Sequence, residues 1–194
     1  MSAENSFVRL VSLACHDLRT PLATVYGFAR TLARTDELSE THANWVAMIE
    51  SASSQLGELL DELSLAIRIE DGRYRPAVGE ADTAAFARAA AERLGEERVS
   101  VSGAGGVVRV DVEATERAVS ALARCALRHG GLERISVAAN GPELEIAPIT
   151  KASAPVVLGA DLRDLGAAVA VRLIDALGGS VSVEGETLVV RLPA

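Results

Sequence analysis

The chain has 194 residues, 49% hydrophobic and 24% charged, a composition that supports one folded domain or two small ones. Its net charge of −8, with no basic stripe and no polybasic patch, argues against a nucleic-acid surface and against electrostatic membrane anchoring. Every apolar run is broken by charge well before the length of a membrane span, and the N-terminal MSAENSFVRL has no charged segment ahead of an apolar one, so a cytoplasmic protein with no membrane partner is expected.

From the N-terminus, apolar residues fall at Phe7, Val11, Ala14, Leu18, Pro21, Val25, Phe28 and Leu32, in alternating steps of four and three. That is the a/d seam of a packed amphipathic helix. After a polar stretch from Thr35 to Thr41 the rhythm resumes at Trp45, Ile49, Ala52, Leu56, Leu59, Leu63 and Ala66, so two helices form an antiparallel hairpin. Leu10, Leu22, Met48, Leu60 and Ile67 widen each seam beyond what one partner helix covers, and a second copy, giving a homodimeric four-helix bundle, would bury the excess.

The run I69-E70-D71-G72-R73-Y74-R75-P76 ends the hairpin with glycine and proline, which places one domain at 1–75 and a second at 76–194. In the second, the pattern predicts helices over Asp82–Leu94, Glu113–His129 and Leu162–Leu177. Strands are predicted at Val99–Ser102, Val107–Val110, Arg134–Ala139 and Glu143–Ala147, with a closing hairpin of Ser180–Glu184 and Thr187–Leu192. The fold class is therefore α+β: a helical hairpin followed by an α/β sandwich with helices on one face of a mixed sheet. Cys15 and Cys125 have no C-x-x-C spacing, and His16, His42 and His129 are dispersed, so neither a disulfide framework nor a metal site is expected.

The first helix carries A14-C15-H16-D17-L18-R19-T20-P21-L22. With Leu18 at position a and Ala14 at d, His16 takes position f, farthest from the seam, and its ring points to water. Thr20 lies one turn on along the same side, and Asp17 sits beside the histidine. Pro21 lacks an amide hydrogen and clashes with the carbonyl of Asp17, so the helix is expected to bend or loosen at this turn. An exposed imidazole beside a carboxylate is a candidate nucleophile, because one ring nitrogen is unprotonated near neutral pH while the carboxylate orients the other. On position alone, a surface histidine without a role is the commoner case.

V11-S12-L13-A14-C15-H16-D17-L18-R19-T20-P21-L22 resembles the phosphoacceptor box of two-component histidine kinases, H-[E/D]-L-R-T-P-L, on the first helix of their dimerisation and histidine-phosphotransfer domain. The resemblance implies that His16 accepts a phosphoryl group, that Asp17 is the adjacent acid/base, and that Asp17-x-x-Thr20 positions water for dephosphorylating a partner. It also implies response-regulator receiver domains as partners, with the exposed Leu13 and Arg19 as candidate docking contacts.

The second half is similar to that family's ATP-binding sandwich along V110-D111-V112-E113-A114-T115-E116-R117-A118-V119, A126-L127-R128-H129-G130-G131 and the segment Leu165–Gly179. It departs where the chemistry lies. The family's magnesium-holding asparagine corresponds to Cys125 and another usual asparagine to Ala121, and a thiol is a poor ligand for a hard cation. The D-x-G-x-G turn that reads adenine is replaced by A147-P148-I149-T150-K151-A152, and Asp164 stands where the first glycine of the phosphate-covering segment belongs. Three losses together lead to the expectation of a nucleotide-free domain with no cofactor of its own, any Mg²⁺ belonging to the partner receiver.

The reading this supports is a phosphorelay histidine phosphotransferase that passes a phosphoryl group between receiver domains through His16. Two alternatives stand beside it: a divergent histidine kinase that labels His16 from ATP, and a non-enzymatic receiver-binding scaffold in which His16 is incidental.

Overall fold

A computed structural model describes residues 3–34 and 38–194, with residues 3–10 and Ser12 described by their backbone only. Phe7 and Leu10 of the sequence-derived seam, and Thr35–Glu37 of the predicted turn, lie outside this description. The chain divides into two compact units at Arg73/Tyr74.

The first unit is a pair of long helices, α1 (Ala3–Ala33) and α2 (Glu40–Glu70). Helix α1 runs on through Pro21 without ending. Ser39 caps α2 by accepting a hydrogen bond from the amide of His42, and Asp71 closes its far end. The two helices are antiparallel: Arg19 meets Asp61 at 2.7 Å and Arg30 meets Glu50 at 3.7 Å.

The stripe that joins them differs from the expected one. The buried positions are Cys15 and Ala29 on α1 and Val46, Ser53, Leu65 and Ile67 on α2, with Leu22 packed toward Gly57 and Leu60 half-buried. Apart from Leu65 and Gly57 these recur every seven residues but sit one position round from the a/d set. Leu22, Leu60 and Ile67, read from sequence as flanking positions, are part of the hairpin's own covered side. The covered side thus mixes small residues, Cys15, Ala29, Ser53 and Gly57, with the larger Leu22, Val46, Leu60 and Ile67. The larger a/d residues Leu18, Val25, Phe28, Ile49, Leu56 and Leu59 are left 46–68% exposed, an apolar stripe that one hairpin does not cover.

The second unit, from Tyr74 onward, is a five-stranded mixed sheet with helices packed on one face. Its elements are β1 (Val78–Asp82), α3 (Thr83–Leu94), β2 (Val99–Gly105), β3 (Val107–Asp111), α4 (Val112–Gly130), β4 (Ile135–Asn140), β5 (Glu143–Ala147), α5 (Ala154–Val157), α6 (Leu165–Ala176), β6 (Ser180–Glu184) and β7 (Thr187–Arg191). The strand order is β2-β4-β5-β7-β6, with β2 and β4 parallel and the other pairs antiparallel. The sequence reading placed these elements within a few residues but missed β1 and α5. Strand β3 leaves the main sheet to pair with β1. The split occurs at Gly103–Gly106: Gly103 has φ +90°, and a Cβ there would overlap the carbonyl of Ala139.

The core lies between sheet and helices. Alternate residues of β4 and β5, Ile135, Val137, Ala139, Leu144 and Ile146, are buried, as the two-residue period of a one-sided sheet requires. Phe86 of α3, Leu122 of α4 and Leu173 of α6 meet them from the helical layer.

Three helices of this unit start at aspartates. Asp82, Asp111 and Asp164 accept hydrogen bonds from the amides of Ala84, Ala114 and Ala167. Asp111 does more than cap α4, because its other oxygen accepts from the Tyr74 hydroxyl at 2.8 Å and the Ala77 amide at 3.2 Å. Asp111→Ala is therefore expected to cost about 2 kcal/mol, read as a lower urea midpoint with an unchanged m-value. Among the described residues no helix is long and apolar enough to cross a membrane.

Candidate functional site

Two places concern the chemistry, one in each unit. In the hairpin, His16 lies midway along α1 with its side chain 79% exposed. Its Nδ1 is 3.1 Å from Asp17 Oδ1. A carboxylate at that distance favours the tautomer with hydrogen on Nδ1, which leaves the lone pair of Nε2 available to an incoming electrophile. Thr20 is exposed one turn along. It keeps its place in the helix, where its carbonyl accepts a hydrogen bond from the Thr24 hydroxyl.

Of the two proposed docking residues, Leu13 is 57% exposed. Arg19 is exposed as well but is not a free cation, because its guanidinium donates to Asp61 of α2. Asp61 was not singled out in the sequence reading: no spacing rule connects two helices across a turn, and only the hairpin's register brings residues 42 apart together.

In the sandwich, the positions where the sequence departs from the kinase pattern fall on α4, on the segment after β5 and at the start of α6. Cys125 of α4 is fully buried. Burial first, and then the negative charge of Asp164, push its thiol from 9.0 up to about 12, against a smaller opposing influence of Arg128 and Arg124. The folded state thus holds the thiol protonated. That stabilisation is complete below the unfolded-state pKa and is lost as pH rises from about 9 toward about 12. Native Cys125 is expected to resist iodoacetamide at mildly alkaline pH and to react after denaturation, and Cys125→Ala should flatten the alkaline loss of stability seen in urea titrations.

After β5, the turn from Thr150 to Ser153 closes on itself. Ser153 Oγ accepts from the Thr150 amide at 3.0 Å, and Thr150 Oγ1 accepts from the Ser153 amide at 3.2 Å. The preceding Ile149 is buried, and its amide donates to the carbonyl of Glu186 at 2.7 Å. No carboxylate side chain occupies residues 147–153. At the start of α6, Asp164 is buried and both its oxygens are engaged: Oδ1 caps the helix at Ala167, and Oδ2 lies 3.3 Å from His129 Nε2. Cys125 and His129, one turn apart on α4, come together with Asp164, although the sequence reading treated the histidines and cysteines as dispersed. The i, i+4 spacing of C125-A126-L127-R128-H129 was the available signal.

Comparison with known proteins bears on both units. Residues 8–72 match the family "His Kinase A (phospho-acceptor) domain". The chain is 36% identical over 67 residues to Sensor protein DivL of Caulobacter vibrioides, an alignment covering 30% of this chain and 9% of that one. In fold it resembles the crystal structure of full-length ShkA in complex with AMPPNP (TM-score 0.68, 19% identity, 96% of this chain and 46% of the other). It also resembles the Acinetobacter baumannii histidine kinase AdeS (TM-score 0.57, 17% identity, 92% and 97%). The chain therefore spans less than half the length of DivL and of ShkA.

Proposed function

From a chain that carries a phospho-acceptor hairpin on the fold of a two-component histidine kinase core, we propose a histidine phosphotransferase that passes a phosphoryl group between response-regulator receiver domains through His16. The carrying observation is the solvent-facing imidazole with Asp17 on its Nδ1, in an intact H-D-L-R-T-P-L on a packed helix.

In the transfer, the Nε2 lone pair of His16 attacks the phosphorus of a receiver's aspartyl phosphate. An N–P bond forms as the acyl O–P bond breaks, and the receiver's carboxylate leaves with the bonding electrons. The ring gains positive charge, which the Asp17 carboxylate stabilises, and the Nδ1 proton passes by way of Asp17 to water. The reverse sequence loads a second receiver. Mg²⁺ held by the receiver would screen the charge on the transferring group. Leu13, and Arg19 held in place by Asp61, flank the histidine as docking contacts, and Thr20 positions water when the partner is dephosphorylated.

The same reading makes the sandwich nucleotide-free. Its residues do not suit magnesium-bound ATP: a buried, protonated thiol replaces an oxygen ligand, the self-closed Thr150–Ser153 turn offers adenine no carboxylate, and the buried Asp164 carboxylate would face a triphosphate. Dimerisation completes the proposal, with the exposed a/d stripe covered by a second copy.

The test is paired. The purified chain is incubated with labelled ATP and, separately, with a labelled phospho-receiver. Label from the receiver and none from ATP is the expected result. Label from ATP would replace the proposal with a divergent kinase, and label from neither would leave a receiver-binding scaffold.

A further inference from the structure

The cluster at the start of α6 has a chemistry of its own. The donor atoms of Cys125, His129 and Asp164 lie within 4.8 Å of one another, the one such group of three among the described residues. It is not a surface collection: Cys125 is fully buried, and the side chains of His129 and Asp164 are 14% and 7% exposed. His129 Nε2 is itself shielded from solvent and makes no hydrogen bond, although Asp164 Oδ2 is 3.3 Å away. A buried imidazole nitrogen this close to a carboxylate, yet out of line for a hydrogen bond with it, is left without a partner, and an ion held by both atoms would supply one.

We propose that Cys125, His129 and Asp164 form a binding site for a borderline divalent transition-metal ion, Zn²⁺ being the natural occupant. Thiolate, imidazole and carboxylate are the donor set that zinc takes and that magnesium refuses. Bonds of about 2.1 Å at the tetrahedral angle hold a nitrogen and an oxygen ligand about 3.4 Å apart, close to the spacing already present. With the three donor atoms within 4.8 Å of one another, closing them onto one ion takes an inward shift of the sulfur of about 1 Å at most. Cys125 and His129 sit one turn apart on a single helix face, the spacing by which a helix offers two ligands to one ion.

Charge balances too. Thiolate and carboxylate together neutralise a dication, which a buried site requires; the proton displaced from Cys125 passes to solvent, and a neutral imidazole ligating through Nε2 keeps its own on Nδ1. Arg124 and Arg128, the cations nearest Cys125, are exposed, so water screens them. An ion here ties the last turns of α4 to the N-terminus of α6. The site is independent of phosphoryl transfer at His16, and its failure would leave that proposal where it stands.

Cobalt(II) makes the site visible. Titrating the metal-free full chain with Co²⁺ is expected to give one equivalent bound, with a thiolate-to-cobalt charge-transfer band in the near ultraviolet and intense tetrahedral d–d bands. Zn²⁺ should bleach both. Cys125→Ser should abolish the charge-transfer band, His129→Gln and Asp164→Asn should each weaken binding at least tenfold, and Cys15→Ser should change nothing. Asparagine retains the helix cap, so Asp164→Asn separates ligand loss from misfolding, and circular dichroism checks every variant. One equivalent of Zn²⁺ should raise the Tm of the wild type and not of Cys125→Ser. No cobalt band in the wild type, or a band that survives Cys125→Ser, would overturn the proposal.

Discussion

Replacing His16 by alanine is expected to reduce labelling of the chain by a phospho-receiver to background, with fold and oligomeric state unchanged. The side chain is 79% exposed and pairs only with its neighbour Asp17. Its removal should therefore shift stability by no more than about 0.5 kcal/mol. Catalytically the loss is total, because no other residue of the H-D-L-R-T-P-L stretch is a nitrogen nucleophile. The label on wild type should be acid-labile, as a phosphoramidate is. Asp17→Asn should keep the acceptor but slow transfer by about 10²-fold, the usual scale for a lost acid–base partner. Thr20→Ala should spare transfer to His16 and slow only dephosphorylation of the receiver. Transfer that persists in His16→Ala would refute the assignment, and unchanged receiver binding and signalling by that variant would point to a scaffold.

The second large effect concerns assembly. Phe28→Asp combined with Leu56→Asp is expected to convert a dimer into a monomer, read by light scattering across a dilution series. Both side chains belong to the stripe that the hairpin leaves uncovered, one on each helix. Burying a side chain of that size is worth about 1.5–3 kcal/mol, and each substitution occurs twice in a symmetric pair. The double variant thus forfeits at least about 6 kcal/mol, more than a ten-thousandfold weakening of association. Because neither residue is buried within the hairpin, the monomer should retain its helical signal. A wild type that stays monomeric at every concentration reached, or a double variant that still pairs, would remove dimerisation from the proposal.

Local signals carried some features of the molecule further than others. The turn that carries His16 was legible because its position faces away from the expected seam and is still exposed with the covered side one position round, and adjacent residues such as His16 and Asp17 meet without tertiary help. The seam was legible as a period but not as a phase. Large apolar residues advertise themselves in sequence, yet the hairpin closed one position round from them, on a side where the small Cys15, Ala29, Ser53 and Gly57 alternate with Leu22, Val46, Leu60 and Ile67. Strand β1 escaped notice because V78-G79-E80-A81-D82 has an interior glycine and only one β-branched residue, and its identity as a strand comes from β3 beside it. The pairing of β2 with β4 brings Gly103 against the carbonyl of Ala139, a close approach that exists only once the sheet is assembled.

The sequence by itself determined the two-part organisation, the α+β class, the outward-facing imidazole and the absence of the usual nucleotide-binding residue types. These follow from period, punctuation and side-chain chemistry, all of which act over a turn or two of chain. Tertiary structure decided which helix face is covered, that Arg19 is held by Asp61, and that Cys125 and His129 share their buried corner with Asp164, 35 positions beyond His129. Those depend on how whole elements pack. Packing is settled by the summed burial of many side chains, a quantity no short stretch of chain contains.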